Sequence, residues 1–165
     1  MSAKRQRRNN GTLTALAASL ALCGVAQAQS IESPVAQAAT DIRATPDEQA
    51  QNVRMTELVA TLGEKPAGAL NDDELADLSG LASGANVYVA DMATTLLGCQ
   101  GARARFVLPV LEQRLTDVMV NPPVFYSGVQ SDEFLRVAIW RIRTNTTCDK
   151  PTPDVMHRVS PTAVG

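Results

Sequence analysis

Histidine is almost missing from this chain: one residue in 165, His157. A hydrolytic triad or an imidazole-based metal centre therefore has a single candidate. It lies between Pro153 and Pro161, in a tail where nothing would fix its tautomer. Cysteine is scarce as well, three residues with no CxxC pair, which leaves a metal site short of ligands. Aromatic residues make up only 4%, with Trp140 the one tryptophan. There is no glycine-rich phosphate loop, no GxSxG and no HExxH. No apolar run approaches the ~20 residues needed to cross a bilayer. These absences remove the enzyme classes that carry recognisable motifs. The expectation is a non-catalytic protein with no cofactor, no metal and no transmembrane segment.

What is present begins at the amino terminus. Lys4, Arg5, Arg7 and Arg8 form a basic start without an acid. An alanine-thinned apolar run follows over 13–25, and then Ala26-Gln27-Ala28. A charged end, a short apolar core and small residues at the cleavage positions read as a secretory signal, cut between Ala28 and Gln29. A periplasmic or secreted location follows. Leu20-Ala21-Leu22-Cys23-Gly24 loosely resembles a lipobox, but Leu22 stands where that pattern has a small residue, which argues against a lipid anchor at Cys23. Arg7-Arg8 is followed by Asn9-Asn10-Gly11 rather than by the apolar residues of a twin-arginine signal.

The remaining 137 residues hold eleven basic and seventeen acidic side chains, a balance of −6. Nucleic-acid binding needs a basic footprint and is disfavoured. Residues 29–95 carry −8 and residues 100–165 carry +2, as two complementary halves of one domain would. Cys23 leaves with the signal. Cys99 and Cys148 are then an even pair in an oxidising compartment, and a single disulfide is the natural inference.

Apolar spacing organises the rest. Residues 29–45 are rich in alanine and glutamine and read as a flexible arm. Thr45, Pro46 and Glu48 form a helix start, and Met55, Leu58, Val59 and Leu62 form one stripe up to Gly63. Asn71 and Glu74 open a second capping box. From there Leu75, Leu78, Ala82, Ala85, Val89, Met92, Leu96 and Cys99 alternate steps of three and four, a seam of period 3.5. Gly80 and Gly84 interrupt it; because the seam keeps its phase, one bent helix over 72–98 is expected rather than two. A partly uncovered seam would favour self-association. The next helix runs over 102–120, with Pro109 tolerated if the helix proper starts near Leu108. Asn121-Pro122-Pro123 stops it. Ser131 caps the last helix, whose stripe is Leu135, Ala138, Ile139 and Ile142. A strand over 137–142 is the weaker alternative.

The fold class is thus all-α: a single antiparallel bundle of four to five helices stapled by one disulfide. The helical domain spans 46–150, the signal 1–28, the arm 29–45 and a disordered tail 151–165. Two clusters carry possible function. Asp72, Asp73, Glu74 and Asp77 could draw a cation, but acids also suit a helix start, where backbone N–H groups are exposed. Arg136, Trp140 and Arg143 lie at i, i+4, i+7, and Phe125 and Tyr126 stand in the preceding loop. Trp and Arg dominate interface hot spots, so these five residues are candidate partner contacts, although a tryptophan can equally widen the core face.

In size, export, helicity and two distant cysteines, the chain is similar to small periplasmic helical proteins such as acid-stress chaperones and some immunity proteins of contact-dependent toxin systems. No residue motif of those families is matched, so the likeness brings no site residues. The functional expectation is an exported helical interaction protein of the bacterial envelope, binding an unknown protein partner or itself. The alternatives are a chaperone-like or immunity-like role, or an enzyme with an unrecognised site.

Closing a loop of this length should stabilise by about 4 kcal/mol in the chain-entropy view. Cys148→Ser should therefore lower the melting temperature markedly under non-reducing conditions. An unchanged melting temperature would count against the staple.

Overall fold

A computed structural model describes residues 33–63, 69–122 and 131–152. The expected signal with its Ala28–Gln29 junction, the segment with Phe125 and Tyr126, and the stretch with His157 lie outside the described residues. The regular structure among the described residues is all helical: α1 Pro34–Ala44, α2 Glu48–Gly63, α3 Asp72–Ala82, α4 Val87–Cys99, a 3-10 segment Gly101–Val107, α5 Leu108–Val120 and α6 Ser131–Thr144. None is long and apolar enough to cross a membrane.

The first departure from expectation is α1. Residues 34–44 of the supposed flexible arm are a helix. Ser33 caps it, its hydroxyl accepting from Val35 N at 3.1 Å, and Pro34 occupies the first turn. Val35, Ala39 and Ile42, spaced i, i+4, i+7, are buried in the core against α2 and α3. The stripe has only three members and one is alanine, so it is weak in isolation; packing supplies what periodicity did not. Thr45 accordingly closes α1 rather than opening the next helix. Asp47 takes the opening role, its carboxylate accepting from Ala50 N at 2.7 Å just ahead of α2.

Glu74 ties the starts of α1 and α3 together. In the capping box of α3, Asn71 Oδ1 accepts from Glu74 N at 2.9 Å and Glu74 Oε2 accepts from Asn71 N at 2.8 Å. The second carboxylate oxygen accepts the Ser33 hydroxyl at 2.5 Å. One buried acid thus satisfies groups at two helix starts, in keeping with the rule that buried polar atoms find partners.

The second departure is the seam. It breaks over 83–86 into α3 and α4 instead of bending. Asn86 provides an independent cap for α4, accepting from Val89 N at 3.2 Å, while its amide donates to Gln51 Oε1 at 2.9 Å and Asn52 Oδ1 at 3.0 Å on α2. The Ala82 carbonyl at the end of α3 accepts from Arg114. Both new helix ends are therefore satisfied by side chains, which makes the break cheap. The phase does not carry across the break: Leu75, Leu78, Ala82 and Val89 are buried, but Ala85 is exposed, Met92, Leu96 and Cys99 are half-buried, and the buried line of α4 runs through Val89, Ala93 and Leu97.

α4 is the central helix, packed against α2, α3 and α6. Its crossing with α6 is close because Gly98 has no side chain. A Cβ there would lie 2.9 Å from Ala138 Cα and 3.0 Å from Ala138 Cβ. Gly101, just beyond, has φ +58°, a left-handed conformation that glycine adopts freely, and from it the 3-10 segment starts. Pro109 falls in the first turn of α5, as a start at Leu108 requires. α6 is a helix and not a strand, and Leu135, Ala138, Ile139 and Ile142 form its buried stripe. Past its end, Cys148 pairs with Cys99, the two Cα atoms 4.6 Å apart and 49 residues apart in sequence.

Gly98→Ala should destabilise the protein despite alanine's better helix propensity. Overpacking costs about 1–3 kcal/mol, against a propensity gain of about 1 kcal/mol. Urea unfolding should show a net loss; a gain would mean that α4 and α6 separate freely.

Candidate functional site: the outer side of α5

α5 is the most thinly covered helix. Leu111 is its one buried residue, with Leu108, Leu115 and Val118 half-buried beside it against the core. Elsewhere large apolar groups reach solvent on both flanks, Val110 and Met119 being nine residues and so about half a turn apart round the helix. Phe106 in the 3-10 segment is 53% exposed, Val110 36%, Met119 59% and Val120 71%. Only one other large apolar side chain among the described residues is as exposed, Val53 on α2. Scattered exposed apolar residues are ordinary, whereas a concentration on one element marks a contact surface.

One edge of this side faces the 83–87 turn across an open groove of about 640 Å³. Ala85, Val87, Pro109 and Val110 give it apolar walls, and Gln113 and Asp117 give it a polar edge, joined by a 2.9 Å hydrogen bond from Gln113 Nε2 to Asp117 Oδ1.

Arg114 also lines the groove and anchors α5 to the interior. Its Nη1 donates to the Ala82 carbonyl and its Nη2 to Asp91 Oδ1 at 3.0 Å. The Ser131 hydroxyl donates to Asp91 Oδ2 at 2.7 Å. Asp91 on α4, 1% exposed, thus joins α4, α5 and α6 at one point. Ser131 was expected to cap α6; its hydroxyl serves this junction. Burial pushes the Asp91 carboxyl above its ordinary value, against the opposing pull of the Ser131 hydrogen bond and the Arg114 charge. Burial likewise lowers Arg114, with Asp91 acting in the other direction. Desolvation outweighs pairing at both partners, as is common for buried ion pairs.

The other edge of α5 meets the arginine stripe of α6. Arg143 Nη2 lies 2.7 Å from Glu112 Oε1. Arg136 Nε lies 3.3 Å from Asp132 Oδ2, and its Nη2 lies 3.6 Å from Met119 Sδ. Trp140 between them is half-buried. The two arginines reach toward α5 and toward acids, so the stripe borders the exposed apolar side. The acidic cluster is dispersed among structural tasks: Glu74 caps, Asp77 pairs with Arg43 at 3.3 Å, and Asp72 lies 3.9 Å from Arg103. No group of three His, Cys, Asp or Glu side chains converges to hold a metal among the described residues.

Sequence reasoning placed the stripe on α6 but passed over α5, Asp91 and Arg114. The signals were an acid beside the seam, flanked by Ala90 and Met92, and an arginine between Leu111 and Leu115. The chain matches no protein-family model, no curated protein and no solved structure.

Because its native carboxyl is raised, Asp91 binds its proton more tightly when folded. Its contribution to stability is complete below about pH 4, the ordinary carboxylate range, and is lost as pH rises through the native value. Asn at this position can accept from Arg114 and donate to Ser131 without titrating. Wild type should therefore lose stability relative to Asp91→Asn between pH 4 and neutrality. A difference that stays constant with pH would show that burial does not control this carboxyl.

Proposed function

We propose that this chain is an exported helical binding protein that takes a protein partner on the outer side of α5. The carrying observation is the concentration of exposed large apolar groups on the 3-10 segment and α5. Three features of the surroundings support it. The groove beside Val110 offers a concave apolar wall with polar groups along one edge, the combination that fixes orientation in a binding site. Arg136, Trp140 and Arg143 border the same side and add the residue types enriched in hot spots. The helix itself is held in register from beneath by Arg114, so a partner would meet a preformed surface. Export is supported by the signal-like amino terminus and by the Cys99–Cys148 pair, which belongs to an oxidising compartment.

Val110→Asp combined with Met119→Asp tests this reading. Both residues are exposed, so helicity and melting should change little, by about 0.5 kcal/mol per site. Cross-linking in a native envelope fraction should capture a discrete species with wild type and at least tenfold less with the double variant. A crosslinked product of twice the chain's mass would identify the occupant as a second copy. Equal capture by the two proteins would remove α5 as the binding surface, and Trp140→Ala, measured alongside, reports on the bordering stripe.

A further inference from the structure

Residues 145–150 turn back beyond α6 and bring Cys148 to Cys99. Contacts that involve no sulfur hold this limb. Arg141, buried in the last turn of α6, donates through Nη1 to the Thr147 carbonyl and through Nη2 to the Lys150 carbonyl at 3.0 Å. These two carbonyls bracket Cys148. Thr146 N donates to the Arg141 carbonyl at 2.8 Å. Asn145, at φ 55°, accepts through Oδ1 from Ala102 N at 2.9 Å, three residues past Cys99. A guanidinium presents several donors in a fixed fork, and here two of them grip the limb on either side of the cysteine.

We propose that Arg141 is a positioning residue for formation of the Cys99–Cys148 bond: it docks residues 147–150 in the dithiol chain and so presents Cys148 to Cys99. Cys148 is exposed and Cys99 half-buried. With glutathione disulfide as oxidant, the Cys148 thiolate attacks one oxidant sulfur. A mixed disulfide forms and one glutathione thiolate leaves. Cys99, after losing its proton to solvent, attacks the Cys148 sulfur, and the second glutathione thiolate leaves. Two electrons pass from the protein dithiol to the oxidant. The second attack is intramolecular, and its advantage depends on how well the limb is held beforehand. This inference concerns the bond and is independent of the α5 reading.

The test compares wild type, Arg141→Met and Arg141→Lys in a glutathione redox buffer. Methionine keeps an apolar stem without donors; lysine keeps the charge without the fork. The effective concentration of the two cysteines should fall at least tenfold in Arg141→Met and less in Arg141→Lys, with the helicity of the oxidised forms retained. Equal effective concentrations in all three proteins, with only the melting temperature shifted, would overturn the proposal. A second measurement stands apart from the redox equilibrium. In Cys148→Ser, the Lys150 amide, which donates to the Thr147 carbonyl at 3.1 Å, should exchange more slowly with arginine at 141 than with methionine there; equal rates would show that the guanidinium does not dock the limb.

Discussion

α4 is able to occupy the centre of this bundle because its last turn approaches α6 without a side chain between the two backbones. Gly98 lies against Ala138 at a separation no Cβ would allow. That approach sets where α6 runs, and with it where the chain beyond α6 meets the end of α4. Cys99 follows Gly98 directly, so the same crossing that admits α6 also places one sulfur beside the returning limb. Dispersion and apolar burial reward such contact only at short range. A larger group at position 98 would move α6, the junction at Ser131 and the pairing of the cysteines together.

A second constraint acts from the polar side. Asp91, Arg114 and Ser131 join three helices inside the bundle. The gain is registry more than strength, since burial works against both charges. α5 contributes one fully buried residue to the core, with Leu108, Leu115 and Val118 half-buried beside it, so the buried Arg114–Asp91 pair takes a large share in fixing its position. A helix fixed in this way can leave its outer side apolar and exposed. The core does not need those residues, and that freedom is what the binding proposal draws on.

The sequence was most informative where chemistry is local. The capping box at Asn71 and Glu74, the start of α5 at Leu108 around Pro109, and the stop at Asn121 each rest on groups within a few residues of one another, and each is found in the structure. It was least informative where distant groups complete a local feature. α1 has an adequate cap in Ser33 and Pro34, yet its short stripe becomes convincing only once α2 and α3 cover it. The seam over 75–99 is continuous in phase along the sequence, but it breaks where Arg114 and Asn86 reach the exposed ends, and α4 then buries Ala93 and Leu97 in place of Met92 and Leu96. On α6, spacing put Arg136, Trp140 and Arg143 in line; spacing could not say that the two arginines turn to Asp132 and Glu112 and so border α5.

By itself, then, the order of residues determined that the chain is helical, where most helices start and stop, and which two cysteines were available to pair. Those outcomes follow from capping, proline, glycine and apolar period, which act over one or two turns. The tertiary structure decided which polar residues go inside and which apolar residues stay outside. Asp91 is interior because Arg114 and Ser131 meet it there; Val110 and Met119 are exterior because Leu108, Leu111, Leu115 and Val118 are the residues that α5 turns to the core. Burial is a property of the whole packing, and no spacing rule along one helix contains it.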